Sequence, residues 1–355
     1  MKRFLFILSL SLLCAIESMS QASVGDVVFV DSLQMHFIYR GIRYAFDDGQ
    51  KSIYVDVNYN DETPTKVDIA GKIKINGKDY PVKRIGSKAF YGCRNITCVT
   101  IPNEVEIIDS SAFRWCVNLS VVRVLDNIKR LGPDCFRNCT NLRNYYLSNG
   151  LTSISNGAFR ASGLMSIVLP NGLKDIGAYA FEGCKSLTTV RFSKTVRTIG
   201  KEAFANCWAL SLVLLYDQVR NVGEGAFMSC RSLKMVGFSK LVESSVRTVV
   251  SADAFAECKA LDTVICNTSR VGKVKDVVFH ENSFRGSPIK YENIIYGGKP
   301  VDNPNAGKRK KGEPEFEEDE VLMSEDNAER LRTSETVKRG RKDVGVQKNP
   351  KKKKK

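Results

Sequence analysis

The chain has 355 residues, of which 43% are hydrophobic and 26% charged, so most of it can build a folded core, and collagen-like or wholly disordered classes are excluded. The formal net charge of +15 favours anionic partners or surfaces but does not separate nucleic acid, polysaccharide and membrane. Only two histidines occur, His36 and His280, which excludes a metal centre built from several histidines and makes a conventional enzyme the weaker hypothesis.

The N-terminus predicts a signal peptide over residues 1–22. Lys2 and Arg3 precede an apolar run, residues 4–16, that is shorter than the roughly 20 residues of a membrane-spanning helix. Small side chains near residue 22 suit cleavage, whereas the alternative of lipid attachment at Cys14 lacks a small residue directly before the cysteine. We therefore expect a secreted or cell-surface protein with no transmembrane span.

Residues 24–81 predict an N-terminal β-rich cap. Strand-forming patterns occupy residues 26–30, 36–46 and 53–59, and Asp48-Gly49 stands at a hairpin position. Asn76-Gly77 predicts a second turn, which joins residues 72–75 to the entry into the next region. Because a solenoid needs its first core face covered by something other than a repeat, we expect this region to be a cap and not a catalytic domain.

A repeat dominates the centre of the chain. Nine phenylalanines follow a small residue at spacings of 22 to 29 residues: Phe90, Phe113, Phe136, Phe159, Phe181, Phe204, Phe227, Phe255 and Phe284. Three residues later seven of the nine units have cysteine: Cys93, Cys116, Cys139, Cys184, Cys207, Cys230 and Cys258. A Leu or Ile follows, then apolar residues three and five positions on, and this period of two predicts a strand. A period of this length is typical of a solenoid, in which each unit buries its apolar face against its neighbours.

The consensus L-x-x-V-x-L, a loop, then V/L-x-x-I-G-x-x-A-F-x-x-C-x-x-L resembles the BspA-like class of leucine-rich repeats over about residues 82–290. The resemblance predicts an α/β leucine-rich repeat solenoid at residues 82–298, with about 8–9 repeats of 22–29 residues, each a short strand plus a short helical segment. It also implies a secreted or surface-attached bacterial protein of a family whose members act as adhesins toward host matrix proteins or other cells.

The cysteines occupy a repeat column, which favours buried free thiols that fill the turn, although disulfides between neighbouring units stay an alternative. Cys93 with Cys98 and Cys135 with Cys139 have ligand-like spacing, but no second pair or histidine accompanies them. The sequence thus predicts no metal, no cofactor and no catalytic residues.

The outward side of the predicted strands is the candidate binding surface, because alternate strand side chains point away from the core. Its apolar, aromatic and arginine side chains are of types enriched in protein interfaces. The residues that we expect to bind a partner are Arg123, Tyr146, Arg191, Leu212, Leu214, Tyr216 and Met235.

Residues 299–355 predict a disordered charged tail that ends in the run Lys351–Lys355. This Lys-rich tail could dock on an anionic surface, or it could be solvated with no dedicated partner.

The leading hypothesis is a non-catalytic, adhesin-like protein that recognises a protein ligand, such as host matrix or another cell surface, through the strand face. The alternative is a polyanion or carbohydrate binder that uses the basic surface and the tail, and a third hypothesis is a hydrolase hidden in the cap. No feature predicts a specific nucleic acid partner.

Overall fold

The structure is a computed structural model. It describes residues 28–31, 36–47, 51–56, 64–75, 77–216, 218–239, 247–266, 277–290 and 293–296. The predicted signal peptide, the predicted charged tail and the Asp48-Gly49 turn lie outside these residues.

Among the described residues, seven strands precede the first Phe of the repeat column: β1 (Val28–Asp31), β2 (His36–Tyr39), β3 (Ile42–Phe46), β4 (Ile53–Val55), β5 (Lys66–Asp68), β6 (Lys72–Ile75) and β7 (Lys78–Ile85). Strands β1 to β4 pair antiparallel in sequence order, and β6 pairs antiparallel with β7 across the predicted Asn76-Gly77 position. The pattern over residues 36–46, which predicts one strand, is instead a hairpin. Arg40 and Gly41 both adopt positive φ, as a tight turn of this hand requires.

A coil of the solenoid is the segment from one Phe of the column to the next, and all but one of the coils contribute a strand to each of two parallel sheets. The longer strands, called face strands, are β8 (Cys98–Ile101), β10 (Val121–Val124), β13 (Ser166–Val168), β15 (Thr189–Arg191), β17 (Leu212–Tyr216), β19 (Met235–Ser239), β21 (Thr263–Cys266) and β23 (Ile295–Tyr296). The short strands are β9 (Ile107–Ile108), β11 (Arg130–Leu131), β12 (Ser153–Ile154), β14 (Asp175–Ile176), β16 (Thr198–Ile199), β18 (Asn221–Val222), β20 (Thr248–Val250) and β22 (Val277–Phe279). Strand β5 pairs with β8, and β4 and β7 lead into β9, so the N-terminal strands extend both sheets.

The short helical segment predicted around each Ala-Phe is wrong, because the described residues contain no α-helix and the chain there is a run of turns. Every Phe of the column is followed two positions later by a residue with positive φ, and all but Phe284 are also preceded by one. A left-handed residue every four positions prevents the continuous backbone of a helix. Every second N–H instead donates to the next coil, as Phe113 N does to Cys135 O at 2.8 Å and Trp115 N to Arg137 O at 2.9 Å.

The core is a stack of phenylalanine rings. All nine rings of the column stack in order, with centroids 5.0–5.6 Å apart and planes within 15° of parallel. Aromatic pairs of this kind contribute about 0.5–1.5 kcal/mol each beyond the area that they bury. The strand and turn residues of the Leu and Ile columns surround the stack and are buried as well.

The cysteine column fills the turn beside the rings. All ten described cysteines are buried free thiols. Thiols of the column lie 2.9–3.3 Å from the carbonyl oxygen of the preceding coil's Phe, at Cys116, Cys139, Cys184, Cys207, Cys230 and Cys258. Ser287, which replaces cysteine in the last unit, donates to Phe255 O in the same way at 2.7 Å. These thiols therefore have a packing role.

Both sheets are interrupted at one coil, between Phe136 and Phe159. The face sheet stops at β10 and resumes at β13, and the short-strand sheet stops at β11 and resumes at β12. The face sheet is interrupted a second time between β15 and β17, where the short-strand sheet continues. The ring stack and the turn hydrogen bonds continue through this coil, for example from Phe136 N to Ala158 O at 2.8 Å. This coil is called the seam.

Candidate functional site

The candidate surface is the strand face, which consists of the outward side of the face strands and, between β10 and β13, the exposed Asn144 and Tyr146 of the seam coil. Burial alternates along these strands: in β17 Val213 and Leu215 are buried, whereas Leu212, Leu214 and Tyr216 are half-buried. In β15 only the central residue is buried. The alternation follows from strand geometry, since successive side chains lie on opposite sides.

Arg123, Tyr146 and Arg191 of the predicted site are exposed on this face. Arg123 lies beside the outward Cys98, with Nη1 3.3 Å from Sγ. The Tyr146 hydroxyl accepts a hydrogen bond from Asn149 Nδ2 at 3.4 Å, and the same amide donates to Asp126. A polar group in the adjoining loop therefore holds the tyrosine ring while leaving it accessible.

The other four predicted residues, Leu212, Leu214, Tyr216 and Met235, are only half-buried. Leu214 lies opposite Gly237 in the next coil, and a Cβ added at this glycine would lie 2.8 Å from the leucine Cδ2. Leu214 thus fills the space above a residue without a side chain. The side chains of Leu212, Leu214, Tyr216 and Met235, called the apolar cluster, are partly covered by neighbouring residues. The cluster therefore exposes less apolar area to a partner than its composition suggests.

The most accessible apolar side chains of the face lie nearer the seam. Val121 and Tyr146 are each 40% exposed and Val168 is 59% exposed, on three successive coils. Leu125 and Met165, just outside the face strands, are exposed as well. Val121 and Val168 stand at strand positions that the sequence predicts to point outward, so they could have been included in the predicted site. Nothing in the repeat pattern distinguishes Leu125 or Met165.

Trp208 is half-buried beside the cysteine column. Its ring lies between two cations, with Lys185 Nζ 4.2 Å and Arg231 Cζ 4.8 Å from the centroid. Cation–π contacts of this length stabilise the surface by about 0.5–1 kcal/mol each. Lys185 and Arg231 therefore both contact an aromatic ring of this chain.

The positions of the titratable side chains among the described residues do not indicate a catalytic site. Burial raises the pKa of Cys184 to about 11 and that of Cys258 to about 12, so the nucleophilic thiolate is disfavoured. His36 Nε2 lies 2.7 Å from Asp56 Oδ2, and Arg43 Nε lies 3.6 Å from the same oxygen, so these contacts tie together the N-terminal strands. In the same described ranges no group of three or more His, Cys, Asp or Glu residues is placed to hold a metal ion.

The part of the chain that the structure describes also contains no helix with the length and apolar character needed to cross a bilayer.

Comparison with known families identifies the repeat. Residues 72–172 and 152–285 match the family described as BspA type leucine rich repeat region, with six copies, and these ranges cover more than half of the chain. The chain belongs to the BspA-type leucine-rich repeat family. The resemblance read from the Phe, Cys and Leu columns is therefore confirmed. Membership of this family indicates a role in protein interaction or at a surface.

Solved structures of other leucine-rich repeat proteins are similar to this BspA-type chain. A leucine-rich repeat protein from Bacteroides ovatus is 21% identical, with 72% of this chain and 77% of that chain covered and a TM-score of 0.49. The leucine-rich repeat protein of T. pallidum is 23% identical, with coverage of 62% and 88% and a TM-score of 0.48. A leucine rich cell surface protein from Faecalibacterium prausnitzii is 19% identical, with coverage of 79% and 96% and a TM-score of 0.33. A search of curated proteins gives no match.

Proposed function

We propose that this BspA-type chain is a non-catalytic, adhesin-like binding protein that recognises a protein ligand through its strand face. The observation that carries the proposal is the group of exposed Val121, Tyr146 and Val168 on successive coils, with Arg123 and Arg191 in the same outward column as Tyr146 and Val168. Contiguous exposed apolar surface marks interaction sites, and tyrosine and arginine are enriched among the residues that contribute most to binding at protein interfaces.

The remaining parts of the proposal concern the place of action. The basic and apolar pattern of residues 1–22 supports export, and host matrix or another cell surface is the expected source of the ligand. The boundaries of the cap, solenoid and tail, and docking of the Lys-rich tail on an anionic surface, belong to the same proposal.

The test is a binding screen of the chain against matrix proteins at low and high salt, repeated with a double variant of the strand face. V121D/V168D places two charges among these exposed apolar side chains. We expect it to weaken binding at least about tenfold, because each carboxylate would be desolvated in an apolar contact. Binding by the unchanged chain should persist at high salt, since apolar contacts are not screened.

The matched control is V249D/V278D, which makes the same change at two exposed valines of β20 and β22 in the other sheet. It should bind as the unchanged chain does. Equal loss in both variants, or binding that disappears with salt and ignores V121D/V168D, would remove the strand face as the site. Changing Leu212, Leu214 and Tyr216 to Asp tests whether the half-buried cluster contributes as well.

A further inference from the structure

Three exposed cations stand one above the other in adjacent coils, directly before the short strands β14, β16 and β18. They are Lys174, Arg197 and Arg220, called the cation row. Arg197 N donates to Lys174 O at 2.7 Å, and Arg220 N donates to Arg197 O at 2.8 Å. The hydrogen bonds fix the row at the spacing of neighbouring strands, about 4.8 Å per step.

None of the three side chains forms an ion pair with a carboxylate of the described residues. The same column is neutralised three coils before Lys174, where Glu106 stands between Lys83 and Lys129 and accepts a hydrogen bond from each ammonium group at 2.7 Å. The fold can therefore place an acid in this column, yet the cation row has three like charges in succession.

The surroundings of the cation row are polar. The next residue of each coil is Asp175, Thr198 or Asn221, and none of the three is buried. A hydroxyl and an amide beside two of the cations can hydrogen-bond the hydroxyl groups of a sugar. An apolar partner or the core of a membrane would find no matching groups at these positions.

We propose that the cation row binds a linear polysaccharide that carries sulfate groups. The row is one side chain wide and evenly spaced, which suits a polymer chain lying along the solenoid more than a flat membrane. Two of its three cations are arginines, whose paired N–H groups match two oxygens of one sulfate. This site lies on the short-strand sheet and is independent of the proposed protein-binding strand face.

The experiment measures binding of a heparin-derived octasaccharide to the full chain at low salt, by calorimetry. K174Q/R197Q/R220Q removes the row, and we expect binding at least about tenfold weaker, with a shallower salt dependence because fewer counterions are released. The control K66Q/K72Q/K74Q removes three exposed lysines of β5 and β6 and changes the net charge equally. It should change the affinity by less than about threefold, which is a difference of under 1 kcal/mol.

Two further arms keep the result decisive. All variants are also made in a chain in which Lys351 to Lys355 are changed to Gln, so that binding by the terminal lysines does not hide the row. R197K/R220K retains the charge and should bind about threefold more weakly if arginine pairs with sulfate. Thermal unfolding checks that each variant is folded.

Equal weakening by the row variant and its control would reduce the effect to net charge and overturn the proposal. The absence of octasaccharide binding in the background without terminal lysines would overturn it as well. So would tighter row-dependent binding to phosphatidylserine vesicles or to a single-stranded oligonucleotide, because the partner would then be a membrane or a nucleic acid.

Discussion

Glu106 shows how a single residue can tie two coils together. Its carboxylate accepts hydrogen bonds from Lys129 and Lys83, and these contacts lower its pKa from 4.5 to about 2. A carboxyl whose pKa is lowered on folding stabilises the native state above its unfolded pKa, and this contribution is lost as the pH falls from about 4.5 to about 2.

We therefore expect Glu106→Gln to lower the free energy of unfolding by about 1 kcal/mol at neutral pH, after allowing for solvent screening of the exposed lysines. The difference between variant and unchanged chain should shrink steadily below pH 4.5 and vanish near pH 2. Urea unfolding at a series of pH values measures it.

Glu202→Gln is the matched control, since the Glu202 side chain forms no ion pair with a cation of the described ranges. A pH-independent loss in Glu106→Gln, or the same loss in both variants, would show that the two lysines do not stabilise the fold through this carboxylate.

At the scale of the element, the Ala-Phe turn carries the largest difference between expectation and structure. The spacing of Ala, Phe, Cys and Leu is compatible with a helix or with successive turns, because both place these side chains on one side. What decides is the positive φ two residues before and after Phe, at residues as different as Lys88, Tyr179 and Glu202. Such residues have no preference for this conformation, so the sequence pattern could not indicate it.

Trp115 tests this turn directly. It has φ +67° and a large exposed side chain, at a column position where Gly92, Gly183 and Gly286 stand in other coils. A left-handed conformation costs a bulky L-residue about 1–2 kcal/mol, whereas glycine adopts it freely. We expect Trp115→Gly to keep the fold and to raise the free energy of unfolding by up to about 1 kcal/mol, since the gain is reduced by the flexibility of glycine in the unfolded chain.

Val117→Gly is a control for added backbone freedom, because the residue lies two positions on and outside the positive-φ set. Val117→Gly should lower the free energy of unfolding. A marked loss of stability in Trp115→Gly would indicate that packing of the indole outweighs the strain, and denaturant unfolding distinguishes the two outcomes.

The strand face shows a second limit of sequence-based prediction. The outward columns follow from the period of two, and the structure places Arg123, Tyr146 and Arg191 there as exposed groups. The exposure of Leu214 depends on Gly237 in the next coil, which is a contact across the stack and not along the strand. The position of a residue in a repeat column therefore predicts whether its side chain points outward. How much of that side chain is exposed depends on the residues of the neighbouring coils.

At the scale of the whole described solenoid, the seam is where we expect cooperativity to break. In a solenoid, stability is close to a sum of coil terms and nearest-neighbour terms, so a weak junction separates two folding units. At the seam the ladder hydrogen bonds of both sheets are interrupted, and Tyr145 replaces the smaller Val or Ile of other coils. Its ring packs 4.9 Å and 5.1 Å from Phe136 and Phe159, with a buried hydroxyl that has no hydrogen-bond partner within the described ranges.

Native-state hydrogen exchange should therefore resolve two groups of amides, one in β7, β9 and β11 and one in β14, β16 and β18, with different free energies of opening. Val99→Ala, a buried change in β8, should lower protection in the first group by about 1–3 kcal/mol and leave the second nearly unchanged. Val213→Ala, a buried change in β17, should do the reverse. Equal loss of protection on both sides in either variant would mean that the ring stack alone couples the coils across the seam. Combining Tyr145→Phe with either variant removes the unpartnered hydroxyl at the seam. Because no desolvated polar group then remains at this junction, we expect the coils on its two sides to open more cooperatively than they do with Tyr145 present.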